Sequence, residues 1–349
     1  MTSGWGYPDF DAHEGVHLFT DAATGLRAVI AVHSTALGPA AGGVRFWHYA
    51  ADADAITDAL RLSRGMSYKN AMAGLPMGGG KGVILADAVR TKTPAMLEAF
   101  GRAVDSLAGR YVTAEDVGIA EADMVAIARA TRHVSGLPAQ TGAAGGDPGP
   151  YTADGVYLGV KAAAARGLGA GDMRGVRVAI QGVGSVGGGL ARRLAADGAV
   201  LMLADVDAAR AAALADELGA SVVPVDTILA AEADIVSPNA LGAVLTERSI
   251  PQMKARIVAG GANNQLATPA DGERLREAGI LYAPDYVINA GGIINVALEY
   301  LGTANEDEVR ARIARIPERL AQVWDEADRT GAPIAQVSDG IAQRLIGRG

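Results

Sequence analysis

The sequence predicts an α/β protein of two main parts, the second built on a doubly wound parallel sheet. Three observations lead there. A stretch rich in Gly and Pro at 142–150 (GAAGGDPGP) interrupts regular structure and marks a boundary. Beyond it, strand-like runs alternate with helical ones, the pattern of a parallel sheet covered by helices. One strand–turn–helix junction at 176–188 (VRVAIQGVGSVGG) carries G-x-G-x-x-G. The 349 residues suffice for two domains. The expected division is an α/β domain over 1–148, a Rossmann-type domain over 149–300, and C-terminal helices over 301–349. A cleft is expected between the domains.

Within the first part, 26–32 (LRAVIAV) reads as a strand after the turn residue Gly25, and 42–47 as a second short strand. Residues 51–72 have helical spacing, with Ile56, Leu60 and Leu62 among Asp and Arg. A glycine-rich loop is expected next, then a buried strand at 82–86 (GVILA). Helix 94–107 has Pro94 in its first turn, a favoured place. A strand at 111–114 and a helix at 121–131 follow. In the second part, a helix at 153–166 precedes strands at 176–181, 200–204, 221–223, 234–236, 256–258 and 280–282. Beyond Asn289 the chain reads as helices.

Composition narrows the function. The net charge of −8 comes with no long basic run, which argues against the clustered Lys/Arg footprint of nucleic-acid binding. The absence of Cys excludes disulfides, thiolate metal sites and a Cys nucleophile. Histidines 13, 17, 33, 48 and 133 show no ligand spacing, so no metal is expected. The N-terminus lacks a basic segment followed by an apolar run, and no stretch of about 18 apolar residues is free of charge. A cytoplasmic enzyme is the expectation.

At the G-x-G-x-x-G junction, Gly182 permits a tight turn and Gly184 lets backbone approach a pyrophosphate. Gly187 allows close helix–strand packing. The helix start, with Ser185 and Val186, offers unpaired N–H groups to the anion. Asp205, at the end of the next strand, is placed to accept hydrogen bonds from a ribose 2′-hydroxyl and to repel a 2′-phosphate. The cofactor expected is therefore NAD rather than NADP. The plain alternative is a structural glycine turn beside a solvated Asp.

The segment 67–82 (SYKNAMAGLPMGGGKG) is no phosphate loop, because Leu75 and Gly82 replace the required Gly and Ser/Thr. Lys69, late in a helix, and Lys81, after three glycines, suit another chemistry. One ammonium could bind a substrate carboxylate. The other, beside that cation and partly buried, could lose its proton and act as a general base. The plain alternative is two solvated surface lysines.

Residues 75–87 (LPMGGGKGVILAD) resemble the active-site motif of the glutamate/leucine/phenylalanine/valine dehydrogenase family. Further segments similar to that family, above all to its leucine and valine members, are LGPAAGGVRF (37–46), GRYVTAEDVG (109–118), AGGANNQLA (259–267) and ILYAPDYVINAGGIINVALE (280–299). Ala88 departs from the family's usual Pro or Leu. The resemblance implies that Lys69 binds the substrate carboxylate, helped by Gly42 and Gly43. It makes Lys81 the base that activates water, with Asp116 as its acid/base partner. It has Asn263 and Asn264 contact the substrate and the nicotinamide end of the cofactor, and has Arg45, Thr152 and Ala240 contact the cofactor. Thr152 also reads as a helix N-cap, and Asp154 as a first-turn carboxylate favoured by the helix dipole.

The implied reaction is reversible oxidative deamination of an L-amino acid to a 2-keto acid and ammonia, by a homo-oligomer of at least two chains. Domain closure would exclude water during hydride transfer. Glutamate-specific relatives carry Lys at position 41 and Ser at position 296. Ala41 and Val296 leave a side-chain carboxylate without partners, so an apolar substrate follows. Ile293 and Val296 resemble the aliphatic pocket, which favours leucine, isoleucine or valine. Ala41 is shared with phenylalanine-specific relatives, which keeps phenylalanine as the alternative. A related two-domain dehydrogenase for another small molecule and a non-catalytic NAD-binding protein are the remaining readings.

Overall fold

The structure, a computed structural model, describes residues 6–7, 9–89, 91–138, 144–302 and 305–348. Positions 142 and 143 of the expected boundary segment lie outside them. The chain forms two compact units, one of 1–147, 293–309 and 342–349, the other of 148–292 and 310–341. The C-terminal stretch expected as one segment is thus shared between the two units.

The first unit is a five-stranded mixed sheet. Its strands are β1 (Gly15–Asp21), β2 (Leu26–Ser34), β3 (Ala40–Trp47), β4 (Gly78–Leu85) and β5 (Tyr111–Ala114), in the order β1-β2-β4-β3-β5. β2 runs antiparallel to β1 and β4, while β3 runs parallel to β4 and β5. Helix α1 (Asp52–Met72) covers one face, packing Ala55, Ala59 and Leu60 on Val29, Ala31 and Val83. Helices α2 (Pro94–Asp105) and α3 (Glu121–Ala128) cover the other, where Phe100, Val104 and Ile127 meet Ile30, Ile84 and Tyr111. β1 was not expected from the sequence. It is an edge strand with Val16 and Leu18 exposed and only Phe19 packed on the core, so its apolar residues give little inward-facing signal. Near the C-terminus, Arg348 donates to the carbonyls of Asp11, Ala12 and His33.

The second unit opens with α4 (Gly149–Leu168), which starts four residues before the expected helix. Thr152 therefore lies inside the first turn and is not the N-cap. Its hydroxyl donates back to the Pro148 carbonyl at 2.9 Å. There follow β6 (Arg177–Gln181), α5 (Ser185–Ala196), β7 (Val200–Ala204), α6 (Ala208–Leu218), β8 (Ser221–Val222), β9 (Ile235–Pro238), β10 (Ile257–Val258), α7 (Pro269–Glu277) and β11 (Leu281–Tyr282). All neighbouring strands are parallel, in the order β11-β10-β9-β6-β7-β8. The order reverses at β6, the strand that feeds the Gly182 turn, and in open α/β sheets ligands bind outside such a reversal. Helices α8 (Asp285–Ile288), α9 (Gly291–Leu301), α10 (Glu306–Ile313), α11 (Ile316–Thr330) and α12 (Ile334–Leu345) complete the chain.

The glycine run before Lys81 is a strand, not the expected loop. β4 begins at Gly78, and its glycines answer to neighbours on both faces. A Cβ at Gly79 would lie 2.0 Å from the Ser67 amide nitrogen, so the missing side chain lets α1 rest directly on the strand. A Cβ at Gly80 would strike the Tyr111 ring on the opposite face. Asn70 of α1 also donates to the Gly78 carbonyl at 2.6 Å. Without side chains to alternate, the run shows no period of two and cannot be read as a strand from the sequence. Gly79→Ala is expected to lower unfolding free energy by about 1–3 kcal/mol or more, because backbone rather than a flexible side chain must give way. Gly65→Ala, on α1 with open space at its Cβ, is expected to be neutral or to stabilise by up to about 1 kcal/mol. Chemical denaturation of both variants checks the pair. Equal effects would mean that α1 does not rest on the strand in this way.

Candidate active site

β4 alternates its side chains, so Gly79, Lys81 and Val83 all face α1. This places the Lys81 ammonium under a helix, at 5% exposure for the residue. Asp116 lies just beyond β5, and its Oδ2 is 2.9 Å from Lys81 Nζ. Arg45 of β3 donates Nε–H to the same oxygen at 2.9 Å and Nη1–H to Asp58 Oδ2 on α1 at 2.8 Å. The Tyr49 hydroxyl donates to Asp58 Oδ2 at 2.6 Å. Two cations and two carboxylates thus alternate through a largely buried network.

Burial pushes the Lys81 amine below the ordinary lysine value; Asp116 opposes that shift and Arg45 adds to it. Burial alone would raise Asp116, but the charges of Lys81 and Arg45 overcome it and hold the carboxyl below its usual range. Arg45 is also desolvated, and Asp116 and Asp58 together more than restore its affinity for protons. The result is an amine that releases its proton more readily than a solvated lysine, beside a carboxylate that stays ionised.

Lys69 is half-buried in the last turn of α1, the helix packed on β4. Gly42 and Gly43 sit in β3 opposite Thr113 and Ala114 of β5. Ala41, Gly42, Ile293 and Val296 join in one small cavity of about 10 Å³. Met77, Val112, Ser135 and Ala297 also line it and were missed in the sequence. Ser135 has no motif around it that could have singled it out, whereas Met77, Val112 and Ala297 fall within segments that resemble the family. Ser135 Oγ is buried there without a hydrogen-bond partner.

In the second unit, Gly182 turns the chain after β6 at φ +85°. Ala240 closes on this turn, 2.7 Å from where a Gly182 Cβ would stand. A Cβ at Gly187 would lie 1.9 Å from the Gly182 carbonyl oxygen, so only glycine lets α5 start this close to the turn. Gly184 caps α5, followed by Ser185 and Val186, and nothing lies within 4 Å of a Cβ built on it. The start of α5 is thus open beside Gly184, where helix N–H groups are able to meet an anion. Asp205 accepts from the Val183 N–H at 2.8 Å and the Asp207 N–H at 2.9 Å, which ties its carboxylate to the glycine turn. Asn263 Oδ1 accepts from Asn289 at 2.8 Å, and Asn264 takes the left-handed conformation at φ +52°. Arg45, expected at the cofactor, lies in the first unit with its guanidinium engaged by Asp58 and Asp116. Asp154, read as a dipole residue, forms ion pairs with Arg193 and with Arg310, the latter at 3.1 Å. Among the described residues no group of three or more His, Asp or Glu is arranged to hold a metal ion.

A family model described as "Glu/Leu/Phe/Val dehydrogenase, dimerisation domain" matches residues 13–133, and "Glutamate/Leucine/Phenylalanine/Valine dehydrogenase" matches residues 208–343. The chain belongs to the Glu/Leu/Phe/Val dehydrogenase family. It is 46% identical to a leucine dehydrogenase of Geobacillus stearothermophilus, over 96% of this chain and 90% of that one. It is equally 46% identical to a valine dehydrogenase of Streptomyces albus, over 97% and 94% of the two chains. The crystal structure of an L-tryptophan dehydrogenase from Nostoc punctiforme superposes with a TM-score of 0.85 at 39% identity, covering 96% of each chain. This dehydrogenase is thus an oxidoreductase acting on amino acids.

In such an enzyme a buried lysine must keep its counter-ion or the unfolding free energy suffers. Asp116→Ala is expected to destabilise the dehydrogenase by about 3 kcal/mol, because it strands a buried ammonium. Lys81→Met combined with Asp116→Leu should recover much of that loss. Urea denaturation of the single and double variants measures the coupling, and purely additive effects would show that the pair is not energetically linked.

Proposed function

We propose that this dehydrogenase catalyses the NAD-dependent, reversible oxidative deamination of a branched aliphatic L-amino acid (leucine, valine or isoleucine) to the 2-keto acid and ammonia. The observation that carries the reading is the desolvated Lys81 amine held 2.9 Å from Asp116. Lys69, from the helix above the strand, would pair with the substrate carboxylate, helped by the backbone at Gly42 and Gly43. Its charge would further favour the neutral form of Lys81. Lys81 would then take a proton from water as that water attacks the iminium carbon. Asp116 would pass protons to the carbinolamine nitrogen so that ammonia can leave.

The glycine turn fits a dinucleotide. Gly184 leaves space at the start of α5, and Asp205 stands behind the turn as the expected ribose partner. Bound there, the nicotinamide would supply the chemistry of accepting hydride from the substrate Cα. Asn263, Asn264, Thr152 and Ala240 are proposed to complete the contacts around it. A carboxylate at Asp205 favours NAD over NADP by repelling a 2′-phosphate.

The aliphatic reading is supported by the cavity around Ala41, Ile293 and Val296. Its lining, with Met77, Val112 and Ala297, is apolar and offers no cation to a side-chain carboxylate, and the similarity to leucine and valine dehydrogenases favours a branched aliphatic substrate. The similarity to an L-tryptophan dehydrogenase keeps an aromatic substrate as the second reading. We also propose that the enzyme works as a homo-oligomer, consistent with a family model named for dimerisation and with the exposed apolar edge at Val16 and Leu18.

A panel of L-amino acids assayed by NADH formation tests the reading directly. Activity should be highest for leucine, valine or isoleucine. A preference for phenylalanine or tryptophan would overturn the aliphatic assignment. kcat/KM should rise with pH through the depressed lysine value, since the base works only when unprotonated. Lys81→Ala should lower kcat by about 10³-fold or more while NAD still binds; near-normal turnover in that variant would remove Lys81 as the base. Asp205→Ala should weaken NAD binding by about tenfold and narrow the preference over NADP, as read by titration of both dinucleotides.

A further inference from the structure

Asp58 and Tyr49 lie outside every motif that pointed to the site, yet they end the chain of contacts that begins at Lys81. We propose that Asp58, supported by Tyr49, is a positioning residue that divides the Arg45 guanidinium between two carboxylates and so keeps one oxygen of Asp116 available for proton exchange. The inference rests on the proposed oxidative deamination.

The geometry is specific. Among the described residues, the hydrogen bonds to the Asp116 side chain fall on Oδ2, from Lys81 Nζ and Arg45 Nε. That leaves Oδ1 as the oxygen able to trade a proton. Arg45 presents a planar fork, which prefers to hold a carboxylate by two parallel bonds. Here it does not, because Nη1 is drawn 2.8 Å from Asp58 Oδ2 instead. Asp58 is only 8% exposed, and the Tyr49 hydroxyl fixes the same oxygen at 2.6 Å. Arg61, one turn along α1, touches its other oxygen at 3.3 Å. Without the Asp58 charge, Arg45 would be free to chelate Asp116 through both oxygens.

A second consequence follows from the helix. Asp58 and Lys69 share α1, about three turns apart and hence on one face. The Arg45–Asp58 pair therefore ties β3 to the helix that carries the proposed carboxylate-binding lysine. The charged groups that act on the amine are Asp116 beyond β5, Arg45 on β3 and Asp58 on α1, with Tyr49 and Arg61 bound in turn to Asp58. Tyr111 on β5 stands near Asp116 and is held neutral by burial. The Asp58 charge favours the protonated form of Lys81, so its removal lets the amine lose its proton at lower pH.

The test is the pH dependence of kcat/KM in Asp58→Asn, with thermal stability and NAD affinity measured alongside. Expected are an acid limb displaced to lower pH by about half a unit or more, a kcat reduced about tenfold, and an unchanged NAD Kd. Asp58→Glu should restore the limb. A folded Asp58→Asn enzyme with the wild-type limb overturns the proposal. Should that variant fail to fold, Tyr49→Phe decides: kcat reduced about threefold supports the proposal, and wild-type kcat overturns it. Competitive acetylation of Lys81 across pH, read by peptide mass, titrates the same amine without turnover. If no amino acid is oxidised at all, the functional reading falls. The acetylation midpoint still decides the role of Asp58, because an identical midpoint in wild type and Asp58→Asn overturns it.

Discussion

A buried ammonium is the constraint on which the first unit is organised. Lys81 cannot sit under α1 as a cation without a counter-ion, because stripping water from a charge is expensive. Asp116 supplies that charge and is itself largely desolvated. Arg45 then stabilises Asp116 and in turn needs Asp58. The sequence of compensations runs from the Lys81 side chain, 6% exposed, to Arg61, whose side chain is 57% exposed and meets solvent. Each member is held by a neighbour of opposite sign, so the network reaches water without an unpaired charge at any step. The same desolvation that makes the arrangement demanding makes the amine useful, since it disfavours the protonated lysine.

The backbone makes this burial possible. α1 can press on β4 because position 79 has no side chain, and Asn70 secures the contact at Gly78. The parallel register of β3 with β4 sets Arg45 beside Val83, one alternation along from Lys81 and on the same face. The pairing of β3 with β5 brings Gly43 opposite Ala114, two residues before Asp116. Three strands therefore converge on the Asp116 carboxylate through their register, and α1 joins them through the Asp58–Arg45 contact. A slip of one residue in either pairing would turn Arg45 or Lys81 to the opposite face, into the apolar layer with Phe100 and Tyr111.

This origin explains what could be read in the sequence. The glycine turn after β6 was legible because its requirements are local: Gly182 needs positive φ, Gly187 needs close approach to a carbonyl five residues away, and Asp205 follows the next strand. A strand, a turn and a helix start contain nearly all of it. Lys69 and Lys81 stand out in the sequence by their places around the glycine run, while a role for Asp116 is implied only by long motifs resembling one family. The glycines before Lys81 were misread as a loop because strand reading depends on side-chain alternation. Thr152 was misread as a cap because a helix can begin inside a Gly/Pro-rich stretch when Pro150 falls in the first turn. The Arg45–Asp58 contact was invisible, because both residue types are commonly solvated and nothing local to either marks the other.

The two sites thus use opposite solutions to the problem of charge. In the second unit, backbone N–H groups at the start of α5 provide fixed partial charges that no change of pH removes. In the first unit, the charges belong to side chains whose states are mutually dependent. Lys81 loses its proton more readily because burial, with a smaller push from Arg45, outweighs Asp116 and Asp58. Asp116 stays ionised only because Lys81 and Arg45 are cations. A site that must bind an anion of constant charge is well served by the first solution. A site that must give and take protons during turnover requires the second, in which altering any one member shifts the others.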